Sequence, residues 1–182
     1  KIVRMHTGEH IFYKSLEKTI PSLNLKKIDL NLNESSIFVE ANKLEWDDVF
    51  KAEDLANSLI EQDLPIIEHN MTRDEAINSD KLRIKPERIK SDTIRVIEVK
   101  DFDYSACMGC HAKTTGYVGN ILVTNFHIAK GGYEIRFKTN VKSDLYDLAK
   151  EARKINSFLG TNNALDKIKK IIDESEQYKE KF

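Results

Sequence analysis

Residues 4–10 read RMHTGEH and set two histidines, His6 and His10, four residues apart. On a helix that spacing puts both imidazoles on one face, as two neighbouring ligands of one metal ion require. A second pair occurs in CMGCHAKTTGYVG, residues 107–119, where Cys107 and His111 repeat the spacing beside Gly109. Three imidazole nitrogens and one thiolate sulfur make a tetrahedral set for zinc, with bonds of about 2.0–2.3 Å. Cys110 is a rival thiolate, since Cys107-x-x-Cys110 would form a knuckle if both sulfurs turned inward and left His111 unused. His69 and His127, the remaining histidines, lie in strand-like runs and read as sheet residues satisfied by their neighbours. Glu9, between the first two ligands, is a candidate catalytic base. Its bland alternative is a helix-surface acid near an N-terminus.

Two other patterns touch the same residues. His6-x-x-Glu9-His10 also fits the inverted zinc-protease motif, which asks for a distant acidic ligand such as Glu87. That reading leaves Cys107 and His111 unexplained. No phosphate-cradling glycine loop and no serine nucleophile elbow is present.

Positioning these residues requires a folded scaffold, and the bulk composition supplies one. The 182 residues are 40% hydrophobic and 32% charged, as expected of a globular domain with an appendage. Seven glycines and three prolines argue against long linkers. No apolar run approaches the roughly 20 residues of a membrane helix, and no secretory core is visible. Cys107 and Cys110 are too close to staple a domain, so a reducing, cytoplasmic setting is expected. The net charge of −1 gives no sign of nucleic acid, but KLRIKPERIK, residues 81–90, concentrates basic charge. Lys81, Arg83, Lys85, Arg88 and Lys90 are therefore candidate phosphate contacts, the alternative being a solvated edge. The chain starts on Lys1 with the first motif immediately following, and a segment of a longer protein is expected.

The hydrophobic pattern predicts a helix over 5–18, stopped near Pro21, then a hairpin around NESS with Ile28, Leu30, Leu32, Ile37 and Val39 alternating. EWDDVFKAEDLANSLIEQDLP has helical period, with acids in its first turn. PIIEHNM reads as a strand and TRDEAINS as a short helix with a Thr72/Glu75 capping box. TIRVIEV, FDYSAC, VGNILVTNFHIAK and YEIRFKT read as four more strands. Trp46, the tyrosines and the phenylalanines are read first as core. Hairpins mixed with helices, without regular βαβ alternation, predict an α+β fold with a largely antiparallel sheet and packed helices around the zinc site. Residues 1–140 form the predicted zinc-binding domain. Residues 141–182 form a predicted C-terminal helical arm of two helices broken at Gly160, striped with Leu145, Leu148, Ala152, Ile155, then Leu165, Ile168, Ile171 and Ile172.

The two motifs together resemble the paired signatures of the editing domain shared by alanyl-tRNA synthetases and freestanding alanyl-tRNA editing proteins, with a relative in threonyl-tRNA synthetases. The family pattern of H-x3-H on a helix, then C-x3-H and T-G-x-x-G, maps onto His6, His10, Cys107, His111, Thr115, Gly116 and Gly119. The opening HTGEH is nearer to the longer freestanding members than to the synthetase. Cys110 departs from the pattern, standing where a small residue or threonine is usual. The resemblance implies zinc held by His6, His10, Cys107 and His111, with Gly109, Cys110, Thr115 and Gly116 in the loop near substrate. It implies hydrolysis of the ester joining serine, in some members glycine, to the alanine tRNA. A non-catalytic, zinc-stapled tRNA-binding module is the alternative. Mischarged alanine tRNA is the expected partner, and the C-terminal region is expected to lead to a further domain or to pair two copies as a homodimer.

Overall fold

The computed structural model describes residues 1–84 and 91–179. Lys85, Arg88 and Lys90 of the basic stretch, and Glu87, therefore lie outside the described residues. Contacts divide the chain into two compact units, Lys1–Val141 and Lys142–Phe182.

In the first unit the order is α1 (Ile2–Thr19), β1 (Asn24–Asp29), β2 (Ser35–Glu40), α2 (Trp46–Glu61), β3 (Ile66–Thr72), α3 (Arg73–Ile77), β4 (Thr93–Val99), β5 (Asp103–Ala106), a 3-10 turn (Thr115–Val118), β6 (Ile121–Ala129) and β7 (Gly132–Thr139). The strands form two antiparallel sheets, β1-β2-β7-β6 and β3-β4-β5. This is the expected α+β class, with its strands divided between two sheets. α1 and α2 pack together and bury their apolar faces with the four-stranded sheet, in a core that includes Phe12, Leu16, Ile37, Val49, Ile135 and Phe137. A smaller cluster of Ala76, Leu82, Ile94 and Val96 lies against the three-stranded sheet.

Local chemistry explains where the helices start and stop. Glu45 and Asp48 form a capping box at the start of α2, and Thr72 and Glu75 form one at α3. α1 ends at Ile20, which turns extended ahead of Pro21. Its middle is buried on several faces, Thr7 through Tyr13 without a break. Gly8 makes this possible, because a Cβ there would come 2.7 Å from Thr139 Cγ2 and 3.2 Å from Val118 Cγ1. Such close approach sets the depth at which α1 sits, and with it the height of His6 and His10.

Not every aromatic residue enters the core as expected. Trp46 is 41% exposed and packs tilted against Phe50 and edge-on to Phe126 at the surface end of α2. Its place in the first turn of the helix lifts it clear of the buried stripe formed by Val49, Ala52, Ala56, Leu59 and Ile60.

The second unit consists of α4 (Lys142–Leu159) and α5 (Ala164–Lys179). They are separated at Gly160, whose φ of +61° favours glycine. Gly160 N–H donates to Ser157 C=O and Thr161 N–H to Asn156 C=O, the paired bonds of a Schellman ending. Neither helix buries a residue, so the apolar stripes with Leu148, Phe158, Leu165 and Ile172 stay exposed.

Candidate metal centre

α1 presents His6 and His10 one turn apart, and the loop after β5 carries Cys107 and His111 up to them. The four ligand atoms lie within 4.8 Å of one another. His6 Nε2 is 3.3 Å and His111 Nε2 is 3.4 Å from Cys107 Sγ. Tetrahedral zinc with ordinary Zn–N and Zn–S bonds would separate nitrogen from sulfur by about 3.5 Å. The donor set and its spacing fit such an ion. Cys110 stays outside this set and is exposed.

The loop is fastened from both sides. Arg95, on β4, donates through Nη1 to Cys107 C=O at 2.8 Å and Gly109 C=O at 2.7 Å, while its Nη2 holds Glu68 at 2.7 Å. Ala112 N–H donates to Thr7 Oγ1 at 3.0 Å, tying the far end of the loop to α1. Gly109 is required at the crossing, since a Cβ there would stand 2.6 Å from His6 Nδ1.

Each imidazole also has an acceptor behind it. His6 Nδ1 lies 3.3 Å from Cys110 C=O, His111 Nδ1 lies 3.4 Å from Thr7 Oγ1, and His10 Nδ1 lies 2.9 Å from Ser105 Oγ. Such partners orient a ligand and settle which nitrogen carries the proton. Burial would raise the Cys107 thiol, but hydrogen bonds from His10, His111, His6 and the Gly109 N–H hold it down at about 3. The thiolate that a metal requires is thus already favoured. Burial would lower His10, yet Asp103, Cys107 and the Glu9 charge raise it to about 9. His111 is lowered, chiefly by burial.

Glu9 is not a surface acid. It is 4% exposed, with Oε2 3.9 Å from His10 Nε2 and Oε1 without a hydrogen-bond partner. Burial pushes its carboxyl upward, against the pull of His10, Arg83 and His6. A carboxyl in that position can exchange a proton near the ligand cluster.

Other predicted residues fall elsewhere. Arg83, expected as a phosphate contact, turns inward. Its Nη2 pairs with buried Asp103 Oδ2 at 3.1 Å, and its guanidinium covers the Tyr13 ring, with Cζ 4.7 Å from the centroid. That pairing engages Nη2 with a buried carboxylate, so Arg83 supports the site from beside β5 as well as carrying charge in the basic stretch. Lys81 is exposed. Thr115 is fully buried, donating to Leu59 C=O at 2.6 Å and accepting from Leu64 N–H at 2.9 Å. Gly116 N–H donates to Asp63 Oδ1 at 3.0 Å. These two residues fasten the end of α2 and are not among the metal-facing groups, whereas Gly109 and Cys110 adjoin His6. His69 and His127 meet Glu98 at 2.6 Å and Glu134 at 3.1 Å across strands, as sheet residues do. No described helix is long and apolar enough to cross a membrane.

Thr7, Asp103, Ser105 and Arg95 were not singled out by sequence reasoning. One signal was available: Asp103 and Ser105 alternate along a strand that runs straight into Cys107, and so share a face.

Both motifs converge on one point, and the second lies in a stretch with known relatives. Residues 94–141 match the threonyl and alanyl tRNA synthetase second additional domain. The resemblance carried by the two motifs is borne out. The chain is similar to the alanyl-tRNA editing protein AlaX-L of Pyrococcus horikoshii, 31% identical over 126 residues, covering 69% of this chain and 30% of that protein. It is also similar to the alanine–tRNA ligase of Fervidobacterium nodosum, 26% identical over 187 residues, covering 94% of this chain and 20% of the ligase. The ligase of Staphylothermus marinus is 28% identical over 178 residues, covering 94% of this chain and 18% of the ligase. The chain therefore spans less than a third of the length of these relatives.

Proposed function

We propose that this chain hydrolyses mischarged alanine tRNA, releasing serine, or in the alternative glycine, from the ester at the tRNA 3′ end. The observation that carries this reading is the meeting of His6, His10, Cys107 and His111 at one point. It is supported by similarity to a protein named for alanyl-tRNA editing. In this reading residues 1–140 are the editing domain, and 141–182 are an arm whose apolar stripes take a second copy of the chain. Zinc is the proposed metal, and when bound it would supply Lewis acidity toward the ester or fix the tRNA 3′ end.

The chain's own groups do the rest. His6, His10, His111 and the Cys107 thiolate would hold the ion. Glu9, its carboxyl raised by burial, accepts a proton from the attacking water and returns it to the departing 3′ oxygen. Selectivity requires polar groups that pair with the serine hydroxyl, because alanine then leaves them unpaired. Lys81 and the basic residues Lys85, Arg88 and Lys90 are proposed to meet tRNA phosphates.

The deciding experiment incubates the protein with seryl-tRNA(Ala) and alanyl-tRNA(Ala) and follows ester loss. Fast loss of serine with alanine retained is expected, together with a drop of about 100-fold or more in Glu9→Gln. Tight tRNA binding with no ester loss would replace the enzyme by a zinc-stapled binding module. Cleavage of peptides would point to the inverted-motif protease.

A further inference from the structure

At the Nδ1 edge of His10 lies a chain of polar groups, most of them buried. Ser105 Oγ is 2.9 Å from His10 Nδ1 and 2.8 Å from Asp103 Oδ2. His10 Nδ1 is itself 3.4 Å from Asp103 Oδ2. Arg83 Nη2 reaches the same oxygen at 3.1 Å. Ser105 and Asp103 are 2% and 3% exposed. The backbone fixes the arrangement: Arg83 N–H donates to Tyr104 C=O at 2.7 Å, and Ala106 N–H to Arg83 C=O at 3.2 Å, so Arg83 lies along the edge of β5.

Hydrogen-bond direction follows from the charges. Asp103 faces Arg83, and as a carboxylate it only accepts. The single hydroxyl proton of Ser105 then goes to Asp103, and Ser105 Oγ is left to accept from His10. His10 Nδ1 must therefore carry a proton, and in the neutral ring that a metal ligates the lone pair then lies on Nε2, on the opposite side. If the serine proton pointed to His10 instead, neutral His10 would hold its proton on Nε2 and could not ligate. We propose that Arg83, Asp103 and Ser105 are positioning residues that fix the proton of His10 on Nδ1 and so commit its Nε2 to the metal.

This rests on the reading that the cluster holds a metal, and its test separates the two. The probe is zinc alone, titrated into the whole chain against a chromophoric chelator. The tautomer of His10 is read in the zinc-bound protein by long-range 1H–15N correlation. Wild type should bind one zinc with His10 protonated on Nδ1. In Asp103→Asn the amide can donate to Ser105 and release the hydroxyl toward His10, so zinc affinity should fall about 10–100-fold. The bound fraction should lose the wild-type Nδ1–H signature. Ser105→Ala should fall in the same direction, and Ser105→Thr, which restores the hydroxyl, should recover affinity. The serine series carries the test if Asp103→Asn fails to fold. Unchanged affinity and tautomer in Ser105→Ala, with wild type binding zinc, would overturn the relay alone. Wild type that binds no zinc would overturn the metal reading and the relay with it.

Discussion

Gly109→Ala is the sharpest single perturbation of the candidate metal centre. The new methyl would overlap the His6 ring, at 2.6 Å from Nδ1, where unstrained carbon and nitrogen stay about 3.4 Å apart. His6 Cε1 would be closer still, so something must give by more than about 0.8 Å, at least four times the ±0.2 Å within which metal–ligand distances are held. The loop is the harder part to move, because Arg95 grips the carbonyls on both sides of Met108 and Thr7 anchors Ala112. His6 should therefore swing, breaking its contact with Cys110 C=O and leaving three of four ligands. Zinc affinity, measured by chelator competition, should drop by more than about 10-fold, the lower bound for disturbing a ligand's support. Gly109 lies in a loop outside both hydrophobic clusters, so the melting temperature of metal-free protein should hardly change. Wild-type zinc affinity in Gly109→Ala would refute the placement of His6 among the ligands.

Four further outcomes are expected. Thr7→Val leaves Ala112 N–H and His111 Nδ1 without their acceptor and should weaken zinc binding about 10–100-fold in the same competition assay. Thr115→Val orphans Leu64 N–H and Leu59 C=O, so denaturant melts should show a loss of about 2–4 kcal/mol, while zinc affinity of the folded fraction stays unchanged. Charge reversal at Lys81, Lys85, Arg88 and Lys90 should lower tRNA affinity and flatten its salt dependence together, and an unchanged slope would make the segment ordinary surface. Truncation after Lys142 should leave a zinc-binding, ester-hydrolysing domain, with any self-association seen by sedimentation lost. The cut belongs there because Val141 is buried and its N–H donates to Asn120 Oδ1.

The order of elements was legible because period and punctuation agree along the chain. The Thr72/Glu75 box, Pro21 after α1 and the alternation of β2 all mark real boundaries. Less legible was the partition of strands into two sheets, with β7 inserted between β2 and β6, because strand pairing depends on contacts far apart in sequence. Trp46 shows the same limit at one residue: its type suggests core, but its position in the helix decides exposure.

The ligand residues announce themselves by type and spacing, and the groups that orient them do not. Arg83 sits in a run of lysines and arginines, where charge counting suggests a phosphate surface. What turns it inward is a carboxylate twenty residues on, at Asp103. That pairing depends on the Arg83 backbone meeting the edge of β5. Asp103 and Ser105 in turn matter because β5 brings one of its faces against His10 of α1. Burial then does the selecting. A carboxylate and a hydroxyl held this far from water cost free energy unless the serine proton has a definite acceptor. The same requirement that makes the cluster fold correctly therefore also dictates which nitrogen of His10 is free to bind.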